Sequence, residues 1–212
     1  MAKMIKFRPK APSRFGHQRV RSRKQLKLEQ LGQLNLFGDE EENAEKDARI
    51  IRFPLHYSPF EEALLLDENG DERAREAYQH AIAKKDSIAD AYCNLGVLES
   101  TDQNIPQAFD CLTNALKYDP RHFEAHYNLA NLYSESGNLT LARLHYEIAL
   151  ELRPKEANVY YNLGLVLVLI KDYSSAIEIL EKYKVLSEDE TDLANADNLI
   201  SNIRSSFHTG SK

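Results

Sequence analysis

The stretch Asp90-Ala-Tyr-Cys-Asn-Leu-Gly96 returns twice, as Glu124-Ala-His-Tyr-Asn-Leu-Ala130 and Asn158-Val-Tyr-Tyr-Asn-Leu-Gly164, each time 34 residues further along the chain. An alanine recurs with the same period, at Ala108, Ala142 and Ala176. A constant period of this length is typical of stacked supersecondary units, because each unit can bury its apolar face only against a neighbouring unit. The sequence therefore predicts a solenoid.

The repeat resembles the tetratricopeptide repeat (TPR), a 34-residue helix-turn-helix unit with fixed aromatic, Leu-Gly, Tyr, Ala and Pro positions. Residues 123–156 show most of them, at His126, Leu129, Ala130, Tyr133, Gly137, Ala142, Tyr146, Ala149 and Pro154. The resemblance implies an all-α TPR solenoid of antiparallel helix pairs. It divides the chain into a degenerate repeat at 55–88, clear repeats at 89–122, 123–156 and 157–190, and a C-terminal capping helix at 191–206.

Two local patterns within the repeats predict how the helices begin and pack. The degenerate repeat opens with Ser58-Pro59-Phe60-Glu61, in which Ser as the N-cap and Glu three residues later predict a capping box. The small residues Gly96, Ala130 and Gly164 let two helices approach closely, because no bulky side chain separates their backbones. Larger residues, among them Leu112, Tyr146 and Leu180, are expected to fill the seams between units.

The charge of the chain is strongly polarised. Residues 1–28 carry ten Lys and Arg residues and no acid, whereas the remainder carries 17 basic and 33 acidic residues. Prolines and a glycine interrupt this arm, so we expect it to be disordered when free. Three roles stay open: contact with nucleic acid or another polyanion, association with the acidic repeats, and a solvated tail. The candidate anion-binding residues are Arg14, Arg19, Arg21, Arg23 and Lys24.

A short apolar segment lies in the linker predicted at residues 29–54, directly before the acidic run Asp39–Glu42. Its residues Gln33, Leu34, Leu36 and Phe37, with Asn35 between them, resemble the pentapeptide by which bacterial polymerases and repair proteins bind the DNA sliding clamp. The wider stretch is similar to the linker that precedes the TPRs of MerR-type regulators, although only some 30 residues precede it, too few for their winged-helix head. The alternatives are packing on the first repeat and an unidentified partner.

The first helix of each TPR lines a concave face in the family. Asn94, Asn128 and Asn162 occupy one repeated position on that face and resemble the asparagine ladder of TPR superhelices that hold extended polypeptides. An Asn amide supplies both a donor and an acceptor, so it can pair with a peptide backbone whatever the side chains. The alternative is that these amides stabilise helix packing locally. The candidate peptide-binding residues are Asn94, Val97, Tyr127, Asn128, Asn131, Tyr161, Asn162 and Leu165.

Other classes of function find little support in the residues. No phosphate-binding glycine loop, zinc helix or nucleophile elbow is present, so we expect neither an enzyme nor a cofactor. His122 and His126 stand four residues apart, but their repeat positions favour packing over metal binding. The absence of paired cysteine spacing and of a long apolar run favours a cytoplasmic protein without a membrane span. The sequence thus predicts a non-catalytic adaptor that binds an extended polypeptide. The alternatives are a nucleic-acid-associated regulatory or replication and repair factor, and a structural subunit that self-assembles.

Overall fold

The computed structural model describes residues 16–21, 57–187 and 189–209. Within these ranges the regular elements are α-helices that run in antiparallel pairs. Their bounds are α1 Pro59–Glu68, α2 Ala74–Ala83, α3 Ile88–Thr101, α4 Ile105–Tyr118, α5 Phe123–Glu135, α6 Leu139–Leu152, α7 Ala157–Leu169, α8 Tyr173–Leu186 and α9 Glu190–Thr209. Consecutive helices pack on one another, and α3, α5 and α7 also contact in turn, so these first helices form one continuous inner layer.

The small residues of the inner layer set the approach of the helices. A methyl group placed on Gly96 would come within 2.8 Å of Cγ of Leu112, and one on Gly164 within 2.7 Å of a Leu180 methyl. Both leucines are fully buried, so each fills the space that its glycine leaves. The expected all-α solenoid is confirmed, and the seam residues pack as the sequence predicts.

The amphipathic C-terminal helix closes the stack. Its buried side chains join the apolar cluster formed by α5 to α8; they are Ala196, Leu199, Ile200 and Ile203. The opposite side of α9 is largely exposed and polar. This distribution explains how the array can end in water, because a terminal unit needs a polar outer face.

The predicted capping box of α1 is confirmed. Oγ of Ser58 accepts a hydrogen bond from the Glu61 backbone N–H at 3.3 Å, and the Glu61 carboxylate accepts one from the Ser58 N–H at 3.0 Å. Ser87 precedes α3 but makes no side-chain capping bond.

Replacing Ser58 by Ala should lower the free energy of unfolding by about 1 kcal/mol, because the first turn of α1 loses a partner for one backbone N–H. Urea denaturation followed by circular dichroism measures this loss. Ser87→Ala is the matched control, and it should change the free energy of unfolding by no more than a few tenths of a kcal/mol. Equal losses in the two variants would contradict a specific capping contribution.

Candidate functional site: a groove occupied by residues 17–20

The inner face of the solenoid carries asparagines whose side chains bind the backbone of the N-terminal arm. Asn94 on α3 and Asn128 on α5 are both completely buried. The Asn128 amide accepts from the Gln18 N–H at 2.8 Å and donates to the Gln18 carbonyl at 2.7 Å. The Asn94 amide accepts from the Val20 N–H at 2.7 Å and donates to the Val20 carbonyl at 2.9 Å.

The pairing follows from the geometry of an extended chain. In such a chain the backbone groups of residues i and i+2 point to the same side. Gln18 and Val20 therefore present their N–H and C=O groups to the groove together, and one asparagine from each of two successive repeats satisfies both. Four hydrogen bonds thus hold this segment without contacting any of its side chains.

Arg19, between these two residues, makes an ion pair. Its Nε atom lies 2.9 Å from Oδ2 of Asp67, in the last turn of α1. The Tyr78 hydroxyl donates to the same carboxylate oxygen at 3.0 Å. Burial raises the pKa of Asp67 above its ordinary value, while Arg19 and the Tyr78 hydroxyl each act to lower it. The carboxylate is therefore costly to keep charged unless a cation stays beside it.

The neighbouring side chains of the segment also meet specific surfaces. Val20 packs against two apolar clusters, one centred on α1 and α2 and the other on α4 and α5. It therefore connects the first helix pair to the helices that follow. The His17 ring lies 3.0 Å from Oγ of Ser100. Burial lowers the pKa of His17, against the opposing field of Glu135. Each residue from His17 to Val20 thus has a defined contact.

Further along the inner face, the predicted site residues form a buried polar network. Asn162 donates to the Tyr127 hydroxyl at 3.1 Å and to Oδ1 of Asn131 at 3.1 Å. Tyr146 donates to the same Asn131 oxygen at 2.5 Å. Nδ2 of Asn131 is buried and has no hydrogen-bond partner among the described residues. A role for this part of the face in ligand binding stays a prediction.

The remaining predicted groove residues are apolar or aromatic and mostly buried. Val97 is 3% exposed and Tyr161 is 9% exposed. The Tyr161 ring packs on Tyr183 with their centroids 5.1 Å apart, and Leu165 lies against the same apolar cluster. A ligand-binding role for these three residues therefore also stays a prediction.

Sequence reasoning did not identify Asp67 as a site residue. The carboxylate lies in the degenerate repeat, where the repeat pattern gives no inward position to read. The available signal was that Asp67 directly follows the apolar run Ala63–Leu66, which is the placement of a carboxylate at the edge of a core. Its significance depends on Arg19, which is 48 residues away in the sequence.

The predicted arm and docking residues are only partly visible. Arg19 and Arg21 lie in the described segment, whereas Arg14, Arg23 and Lys24 lie outside the described residues. The docking residues also lie outside the described residues; they are Gln33, Leu34, Leu36 and Phe37.

The two histidines considered as metal ligands have structural contacts instead. Nδ1 of His122 accepts from the Ala125 N–H at 3.1 Å and so caps α5, while its Nε2 lies 3.0 Å from the Asp90 carboxylate. His126 contacts His145 and the Pro120 carbonyl. Across the described residues, no group of three or more metal-binding side chains is found, and no helix has the length and apolarity to cross a membrane.

The fold and the occupied groove define an α-helical repeat protein whose inner face holds an extended polypeptide segment. Residues 121–183 match the family model described as tetratricopeptide repeat. A TPR protein from Parabacteroides merdae ATCC 43184 has a TM-score of 0.62 at 21% identity, covering 71% of this chain and 60% of that one. MamA has a TM-score of 0.61 at 21% identity, covering 69% and 84%. The chain carries a TPR solenoid.

Two relatives and one complex complete the comparison. General transcription factor 3C polypeptide 3 of Homo sapiens is 27% identical over 155 residues, which are 71% of this chain and 17% of that protein. An uncharacterized protein of Haemophilus influenzae is 33% identical over 85 residues, which are 40% of this chain and 48% of that protein. Both are matched over less than half of their own length. The first TPR of Spaghetti, bound to an HSP90 peptide, has a TM-score of 0.52 at 18% identity, covering 57% of this chain and 93% of that one.

Proposed function

We propose that this protein is a non-catalytic adaptor whose concave TPR face binds an extended polypeptide segment. One observation carries the proposal: Asn94 and Asn128 pair with both backbone groups of Val20 and Gln18. Recognition of the backbone allows the same amides to hold a segment from another protein. A TPR domain of related fold, that of Spaghetti, was solved with a bound peptide, which supports this use of the fold.

The proposal is tested by direct titration of a peptide. The probe is a fluorescently labelled peptide with the sequence of residues 14–24. The receptor is the full chain carrying Arg19→Glu and Val20→Asp, which removes the ion pair and the apolar contact that seat its own arm. Fluorescence anisotropy should show saturable binding of the peptide.

Adding Asn94→Ala and Asn128→Ala to that receptor should weaken peptide binding at least tenfold. Four hydrogen bonds are lost, each with a net contribution of about 0.5–1.5 kcal/mol. Asn114→Ala, on the outer helix α4, is the matched control and should leave the affinity unchanged. Circular dichroism checks that each variant remains folded. An unaltered affinity in the folded double-alanine receptor would refute the groove as the binding site.

The alternative function is contact with nucleic acid through the basic arm. It is favoured by the ten cations of residues 1–28. It competes with the arrangement in the groove, because Arg19 cannot pair with Asp67 and with a phosphate at once. The full chain should then retard DNA at low salt, and the retardation should fail as salt rises. Absence of any retardation at low salt would eliminate this alternative.

A further inference from the structure

The groove contains a recognition element that backbone pairing does not require. Asp67 is 6% exposed and lies one residue before the C-terminal end of α1. The C-terminal end of a helix carries partial negative charge, so a carboxylate there is unfavourable on its own. Burial adds to this cost. The position is therefore suited to a cation supplied by whatever occupies the groove.

Among the described residues, the cation that pairs with Asp67 is Arg19 alone. Arg19 belongs to the bound segment and not to the solenoid, so the carboxylate has no cationic partner within the described repeats that would remain if the segment left. The Tyr78 hydroxyl donates to Oδ2 of Asp67 and fixes the orientation of the carboxylate. The site thus presents one oriented negative charge to the groove.

The next residue of the segment meets a surface of opposite character. Val20 contacts the apolar clusters that include Leu95 and Leu129, and its own backbone is fixed by Asn94. Asn94 fixes which residue of the segment lies at its amide. The side chain of that residue must fill the apolar surface, and the side chain of the preceding residue must face Asp67. Two adjacent side chains are therefore read in one frame.

We propose that the groove selects an extended segment in which an Arg is directly followed by an aliphatic residue, with Asp67 as the specificity-determining residue. Residues 17–20 are a resident copy of this ligand, and a partner carrying the same Arg-aliphatic pair must displace them. This inference rests on the proposed function, because the Asn94 and Asn128 pairing sets its register.

The selectivity is tested by a double-mutant cycle with the anisotropy assay. The peptide of residues 14–24 is compared with the same peptide carrying Arg19→Gln, on the receptor described above and on that receptor with Asp67→Asn. On the first receptor the Gln peptide should bind about tenfold or more weakly, since a hydrogen bond between charged groups is lost. On the Asp67→Asn receptor the two peptides should differ less than threefold.

Asp67→Asn keeps an oxygen acceptor for Tyr78, so it changes the charge with little change in shape. Glu68→Gln is the matched control, because Glu68 is the next residue and lines the same cavity. That variant should retain the tenfold preference for Arg. A peptide with Val20→Asp should bind every receptor at least tenfold more weakly. If the Gln peptide loses the same affinity whether or not the receptor carries Asp67→Asn, the effect is one of general charge and the proposal is overturned.

Displacement is tested with the unaltered full chain. Because its own segment occupies the groove at high effective concentration, it should bind the peptide at least tenfold more weakly than the receptor with Arg19→Glu and Val20→Asp. Equal affinities would overturn the resident-copy part of the inference. If no peptide binds any receptor, the proposed function fails as well. If binding depends on Asn94 and Asn128 but not on the Arg–Asp67 pair, only this further inference fails.

Discussion

Replacing Leu112 by Ala should lower the free energy of unfolding by about 2–5 kcal/mol, the range for truncating a buried leucine. Leu112 has no exposed surface, and its Cγ atom occupies the space beside Gly96. The truncation leaves a cavity between α3 and α4, whose packing joins the two helices of one repeat. Urea denaturation monitored by circular dichroism measures the loss.

The interdigitation of Gly96 and Leu112 can be separated from simple loss of apolar contact by combining substitutions. Gly96→Ala alone should cost about 1–3 kcal/mol from overpacking, less about 1 kcal/mol gained in helix propensity. When Leu112 is also Ala, the added methyl group enters the vacated space. The double variant should therefore be more stable than the sum of the two single effects by at least about 1 kcal/mol.

Position 130 supplies the control, because the equivalent residue there is already an alanine. Ala130→Gly should cost about 1 kcal/mol, mainly from helix propensity. If the Ala130 methyl group were crowded, removing it would instead raise the free energy of unfolding. Additivity of Gly96→Ala and Leu112→Ala would contradict the proposed close packing, because independent sites add.

The fold could be predicted almost entirely from the sequence because its determinants recur in register. Gly96 and Leu112 are separated by a fixed offset, and the same offset separates Gly164 and Leu180. A periodic signal of this kind reports packing between neighbouring units and needs no knowledge of distant contacts. The all-α solenoid follows from it.

The candidate site could be predicted only where it follows the same period. Asn94 and Asn128 were identified by their repeat position, and both contact the arm. Asn162 has the same repeat position, and it donates to the Tyr127 hydroxyl and to Oδ1 of Asn131 on α5. The period alone did not predict these two contacts, because they depend on the side chains that α5 places beside Asn162.

The repeat period could not predict which segment occupies the groove. Gln18 and Asn128 are 110 residues apart, and the arm carries no repeat that would relate it to the inner helices. The charge pattern left contact with a polyanion, association with the acidic repeats and a solvated tail as alternatives. The described segment shows the second arrangement for Arg19, whose partner Asp67 belongs to the least regular repeat.

A pair of histidines, His126 on α5 and His145 on α6, should make stability depend on pH. The Pro120 carbonyl can only accept, so Nε2 of His126 donates to it across 3.1 Å. Nδ1 of neutral His126 is then an acceptor, and Nδ1 of His145, 3.0 Å away, must donate to it. The His145 ring also stacks on Tyr133 at a centroid distance of 5.5 Å. The arrangement requires the His126 ring to be neutral, because a protonated Nδ1 could not accept from His145.

Burial, with a smaller contribution from His126, lowers the pKa of His145 to about 4. Burial also lowers the pKa of His126, although the Pro120 carbonyl acts in the opposite direction. The unfolded chain takes up protons near the ordinary histidine pKa of about 6.5, whereas the folded chain does not. Between these values the unfolded state binds more protons, so stability falls as the pH is lowered from about 6.5 to about 4.

We expect His145 to reduce the free energy of unfolding by about 1–3 kcal/mol over this interval, since its ring is only partly buried and solvent screens part of the effect. Carboxylates titrate in the same range, so the informative quantity is the difference between the wild-type chain and His145→Gln. Gln can still donate to Nδ1 of His126 but takes up no proton. Its curve of stability against pH should be flatter than that of the wild-type chain below pH 6.5. Urea denaturation at half-unit pH steps measures both curves, and parallel curves would show that the buried pair does not govern the acid response.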